Sequence, residues 1–182
     1  LKDSARIVDY IDWNINTNVL SKRDLMVIDL VAKNNWERPI YFSVTVGNSS
    51  QSYFWLDDYF RLEGLAYRYV PIRYPRQGNN PDFGKIASDI MYENLTEKFD
   101  LGNMGEPGVY LDETNRRVTY NLRNIYGRLA QALAQEGDKE RALDVLNLAM
   151  EKMPEEKFQF DYFVFNILEG YYLAGAEDQA HN

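Results

Sequence analysis

Hydrolytic and metal chemistry have almost nothing to work with in this sequence. Its single histidine, His181, stands next to the last of 182 residues, and cysteine is absent. A nucleophile–base triad needs an imidazole, and a thiolate or imidazole metal site needs ligands that this chain lacks in number. The paired carboxylates Asp57-Asp58 are the remaining acid/base candidate. Neighbours on a helix point about 100° apart, so they read as a charge pair at a helix start more readily than as a shared cation or general-acid site. Gly47-Asn48-Ser49-Ser50 lies between a strand pattern and a helix pattern, where open α/β sheets hold ligands, but one glycine makes it a turn first. No catalytic residue, metal ligand or cofactor is assigned.

Two binding chemistries stand out instead. Trp36, Trp55 and Tyr74 are candidate glycan contacts, because a sugar ring stacks on an aromatic face, although fourteen tyrosines, nine phenylalanines and three tryptophans must mostly serve packing. Arg116, Arg117, Asn121, Arg123, Asn124 and Arg128 form a basic, amide-rich row. Guanidinium forks bind carboxylates at two points, so this row is the candidate face for an acidic peptide, a chain terminus or a charged protein segment. A solvated helix face is the equal alternative. Arg38, just ahead of an apolar strand pattern, is expected to pair with Asp57 or Glu63.

The net charge of −8 gives no counterion-release gain at a phosphate backbone, which argues against nucleic acid. No apolar run approaches the roughly 18 residues that cross a bilayer. The chain opens on Leu1, as a piece of a longer protein would, so any membrane segment is expected upstream.

The elements that must position these residues read as α/β followed by α. Ser4 caps a short helix carrying Ile7, Val8, Tyr10 and Ile11, and a second helix runs from Lys22 to Asn34 with Leu25, Ile28, Val31 and Ala32 on one face. Ile40–Val46 alternates as a strand, a helix carries Tyr53, Leu56, Tyr59, Phe60 and Glu63, and Leu65–Ile72 is a second strand. Strand, helix and strand at this spacing predict a small parallel βαβ sheet flanked by helices. A loop follows over Tyr74–Asp82 and a helix over Asp82–Phe99. Gly102, Gly105, Pro107 and Gly108 then mark a boundary between an α/β part, 1–108, and a helical part, 109–182.

From Arg123 to Glu156 the sequence follows a 34-residue helix-turn-helix register of the tetratricopeptide type. Tyr126, Leu129, Ala130 and Leu133 precede Gly137, and Ala142, Leu146, Ala149 and Pro154 follow it. Ala130 and Ala142 are small where two helices approach closely. Ile167, Leu168, Tyr171, Gly175 and Ala180 repeat part of the set 38 positions on (167 − 129), giving a partial second repeat over about 161–182.

The strings Asp24-Leu25-Met26, Asn34-Asn35-Trp36-Glu37-Arg38-Pro39-Ile40-Tyr41-Phe42, Leu56-Asp57-Asp58-Tyr59, Leu62-Glu63-Gly64-Leu65-Ala66 and Val70-Pro71-Ile72 resemble a known family. It is that of the extracytoplasmic tails of bacterial polytopic inner-membrane proteins, placed among the protein O-mannosyltransferase-like glycosyltransferases. The resemblance implies a polyprenyl-phosphate sugar donor and catalytic acids in a membrane part outside this sequence. It further implies a position on the periplasmic side of the inner membrane. The expected function is then non-catalytic: binding an acceptor protein, another protein or peptide partner, and the membrane part of the same chain. A free-standing secreted carbohydrate-binding or enzymatic domain is the alternative.

Overall fold

The computed structural model describes residues 6–11, 15, 18–45, 56–75 and 84–181. The chain forms two compact units, Leu1–Lys85 and Ile86–Asn182, dividing ahead of the glycine-rich Gly102–Gly108 segment.

In the first unit, helix α1 spans Lys22–Lys33. Ser21 and Asp24 close a reciprocal capping box: the Asp24 amide donates to Ser21 Oγ at 3.3 Å and the Ser21 amide to Asp24 Oδ2 at 2.9 Å. Strands β1 (Tyr41–Ser43), β2 (Phe60–Leu62), β3 (Ala66–Tyr69) and β4 (Lys85–Ile86) form one sheet in the order β1-β3-β2-β4. Its core is aromatic, with Phe42 against Phe60 at 4.9 Å between ring centres and Phe60 stacked on Tyr67 at 5.8 Å.

Several expectations for this unit are corrected. Residues 57–59 form a single 3₁₀ turn and Phe60–Leu62 a strand, where the sequence pattern reads as one helix. Phe60 and Leu62 are buried on either side of a half-exposed Arg61, a period-2 pattern too short to show beside the surrounding aromatics. The turn through Gly64 (φ 130°) closes a tight hairpin, with the Glu63 amide on Ala66 O at 3.1 Å. So short a connection joins only antiparallel strands. β3 therefore pairs antiparallel with β2 and with β1, and the parallel βαβ crossover does not form. Ile7–Ile11 is not helical either: Ile7 bridges Ile72 and the Val8 amide donates to Pro71 O at 2.9 Å. Extended backbone there satisfies groups that an isolated helical turn would leave to water. The candidate cap Ser4, the Gly47–Ser50 loop and most of the expected loop after Tyr74 lie outside the described residues.

In the second unit, α2 (Ser88–Glu93) runs on into a π-turn, Asn94–Lys98, so the helix expected from Asp82 starts six residues later. Then come α3 (Glu113–Gln135), α4 (Lys139–Lys152), α5 (Val164–Ala174) and α6 (Glu177–His181). α3 and α4 form the expected hairpin, with Gly137 left-handed at the turn (φ 90°). Asp138 caps α4, accepting from the Arg141 amide at 3.1 Å. Tyr126, Leu129, Ala130, Leu133, Ala142 and Leu146 are each 0% exposed, so the register read from the sequence is the packed one. α5 lies against both helices of the hairpin.

Candidate functional site

α1 stops at Lys33, and Asn34 holds the exit by donating from Nδ2 to Arg38 O at 2.8 Å. Between them Asn35 (φ 45°) and Trp36 (φ 62°) are both left-handed. Asparagine tolerates that region, but for tryptophan it costs of order 1–3 kcal/mol. The strain is held by packing: the Trp36 indole stacks on Tyr69 of β3 with centres 4.9 Å apart and planes 17° from parallel. Even so, Trp36 remains 48% exposed, which leaves its other face to solvent.

This stacked pair forms the lip of a cleft of about 480 Å³. Ile28, Val31 and Ala32 of α1 line it, together with Val8, Ile11 and Ile15 of the N-terminal segment, while Asp9, Tyr10 and Asn35 add polar groups. The lining is an aliphatic wall with an aromatic lip and a nearly equal share of polar surface, an open cleft that a group apolar on one side and polar on the other would fit.

The other two glycan candidates do not join it. Tyr74 is half-buried, its amide donating to Asp58 O at 2.6 Å, and does not line the cleft. Trp55 lies outside the described residues. The two carboxylates diverge: Asp57 is buried, whereas Asp58 pairs with Arg73 at 3.1 Å. Glu63 takes Arg61 and Arg68 as its cations and the Tyr41 hydroxyl as a donor, so the partner expected of Arg38 is engaged from within the sheet. Those partners sit on β1, β2 and β3, where the antiparallel register places Arg61 opposite Arg68 and Tyr41 opposite Arg68.

The basic row on α3 is split rather than a single exposed face. Arg116 and Arg117 are exposed, the latter bonded to Glu113 at 2.5 Å, and Asn121 is half-buried. Asn124 Oδ1 accepts from Asn166 Nδ2 at 2.6 Å. Arg128 is 6% exposed and Arg123 only 1%. The Arg123 guanidinium donates to Met153 O (2.9 Å), Phe158 O (2.5 Å) and Gln159 O (3.0 Å) and lies 5.3 Å from the Phe160 ring centre. Burial lowers its pKa below the usual guanidinium range, against the opposing pull of Asp161, Tyr120 and Glu155. Arg123 is a structural clasp, because it stands one helical turn before Tyr126 on the buried stripe. The signal the sequence did carry was the irregular 153–160 linker, whose carbonyls need donors.

Tyr126 is a further buried polar group of this helix. Its hydroxyl donates to Leu95 O at 3.1 Å, and burial pushes its pKa up to about 12. An exposed phenol titrates near 10. The unfolded chain therefore loses this proton first, so the stabilisation is complete below about pH 10 and is lost as pH rises from there toward 12. The melting temperature is expected to fall over that window, and Tyr126→Phe to flatten the fall.

The stretch that builds the cleft also decides what the chain is similar to. Residues 1–90 match the family model of TMEM260-associated domain 2. The match to TMEM260-associated domain 2 takes in α1, β1 to β3 and every residue lining the cleft. It connects the first unit with a membrane-protein family, and no helix among the described residues is itself long and apolar enough to cross a membrane. No curated protein and no solved structure matches the chain.

Proposed function

We propose that this chain is a non-catalytic, extracytoplasmic domain of a membrane glycosyltransferase of the protein O-mannosyltransferase-like kind, and that it holds a protein acceptor or partner while the membrane part transfers the sugar. The observation that supports this reading is the Trp36 cleft. A bulky residue kept in left-handed backbone, half-exposed, at the mouth of a cleft with one aliphatic wall is strain of the kind concentrated at binding sites. The similarity of residues 1–90 to TMEM260-associated domain 2 supports the attachment to a membrane protein.

The aliphatic lining suits an apolar or aromatic side chain of a polypeptide. The free face of Trp36 favours a second reading, in which the indole stacks on a sugar ring of the acceptor. The α3–α4 hairpin with α5 is read as tetratricopeptide-like, and Arg116, Arg117 and Asn121 are the part of its basic row left for a partner. The periplasmic side of the inner membrane is the location that fits this role.

In the full-length membrane protein, Trp36→Ala is expected to lower glycosylation of a protein acceptor at subsaturating concentration by on the order of tenfold or more, as loss of a tryptophan anchor does. Unchanged glycosylation by a folded variant overturns the cleft. Sugar transfer from a polyprenyl-phosphate donor by this chain alone overturns the non-catalytic reading.

A further inference from the structure

α1 has an outer face that its inner packing does not explain. The inner side carries Val31 and the capping Asp24, both buried, with Ile28 on the cleft. On a surface helix the opposite side should be polar. Here Leu25, which the sequence pattern groups with Ile28, Val31 and Ala32, falls instead on the outer side, and Leu25, Met26 and Leu30 are 52, 72 and 54% exposed, set among Lys22, Arg23, Asp29 and Lys33, which are also exposed. At about 100° per residue these seven positions share one arc of roughly 160°. Asp29 is tied to Lys33 at 2.7 Å and Arg23 lies 4.0 Å from Asp24 of the inner side, and the arc's own three cations against one acid leave it at 3 − 1 = +2 on a chain of net charge −8.

We infer that this face of α1 rests on the surface of an anionic lipid bilayer, with Leu25, Met26 and Leu30 at the headgroup–acyl boundary and Lys22, Arg23 and Lys33 against lipid phosphates. Long cationic side chains interleaved with apolar ones are what an interfacial helix needs, because the stems lie along the apolar surface while the charges reach outward. A protein-docking face is built otherwise, with lysine depleted from its centre. Charge complementarity picks the lipid: the local excess of two cations opposes a strongly acidic remainder, which by itself would be repelled from anionic headgroups. Three apolar side chains and two net charges make a weak, reversible contact. Such a contact orients a domain that other segments tether, and would fix how the cleft on the other side of α1 is presented.

The test is co-sedimentation of the chain with vesicles of equal phosphatidylglycerol and phosphatidylcholine, against vesicles of phosphatidylcholine alone. Binding to the anionic vesicles, weakened by salt and absent from the neutral ones, is expected. The double variant Met26→Gln/Leu30→Gln should lose most of it while melting as the parent does, since both side chains are exposed. Lys22→Gln/Lys33→Gln should weaken it about fivefold per charge removed. Binding no stronger to anionic than to neutral vesicles overturns the inference, as does undiminished binding by Met26→Gln/Leu30→Gln. A dimer of the parent chain that the same double variant abolishes, without vesicle binding, assigns the face to a second copy and equally overturns it.

Discussion

Arg123→Met is expected to destabilise the helical unit by about 3–5 kcal/mol, the scale on which breaking a buried, hydrogen-bonded charge is felt. The side chain is 1% exposed and its two terminal nitrogens reach three carbonyls, those of Met153, Phe158 and Gln159. Methionine fills much of the same volume but donates nothing. Each carbonyl left dry and unpaired costs about 1–3 kcal/mol, partly relieved by water entering the linker. The Phe160 ring also loses its cation. Arg123→Lys separates charge from geometry: one ammonium keeps the charge but cannot span the fork, so a partial loss is expected. Urea unfolding gives the magnitude, and limited proteolysis should show cleavage moving into residues 153–160. A loss under about 1 kcal/mol with an intact linker would mean that these carbonyls have other donors.

What the sequence made legible was whatever is decided locally. The extent of α1 and the hairpin register from Tyr126 to Ala149 each rest on neighbours within one or two turns, and they appear as read. The sheet topology was not local. Phe60–Leu62 has three residues, and only its pairing with Tyr67 and Tyr69 makes it a strand. The cleft itself was not legible: of its lining only Trp36 stood out, within the Asn34–Phe42 string. Its left-handed backbone, however, falls on Asn35 and Trp36, with no glycine to announce it. Arg123 shows the opposite error. Charge suggested a surface, but Arg123 stands one turn before Tyr126 and two before Ala130, on the buried side of α3, and that spacing was the better guide.

Gly127→Ala is expected to cost about 2–3 kcal/mol, as overpacking at a close crossing does, even though alanine gains about 1 kcal/mol over glycine in a helix interior. A Cβ at Gly127 would meet Asn166 Cβ at 2.7 Å, its carbonyl carbon at 2.8 Å and its oxygen at 3.0 Å. Two of these are backbone atoms, so a rotamer change gives no relief and α5 itself must move. That motion is opposed on both sides of the contact, because Asn166 Nδ2 donates to Asn124 Oδ1 at 2.6 Å and Gln131 Nε2 donates to Asn166 O at 3.0 Å. Gly170, on the facing helix, supplies the control. Its added Cβ meets first the Leu146 Cδ2 methyl at 3.1 Å, the far end of a side chain that can shift by a few tenths of an ångström. Gly170→Ala should therefore fall within about 1 kcal/mol of the parent, the propensity gain offsetting the crowding. Denaturant melts of the two variants measure the difference directly. Equal stabilities would mean that α3 and α5 do not cross at backbone contact, and the clasp formed by Asn124, Gln131 and Asn166 would lose its physical basis.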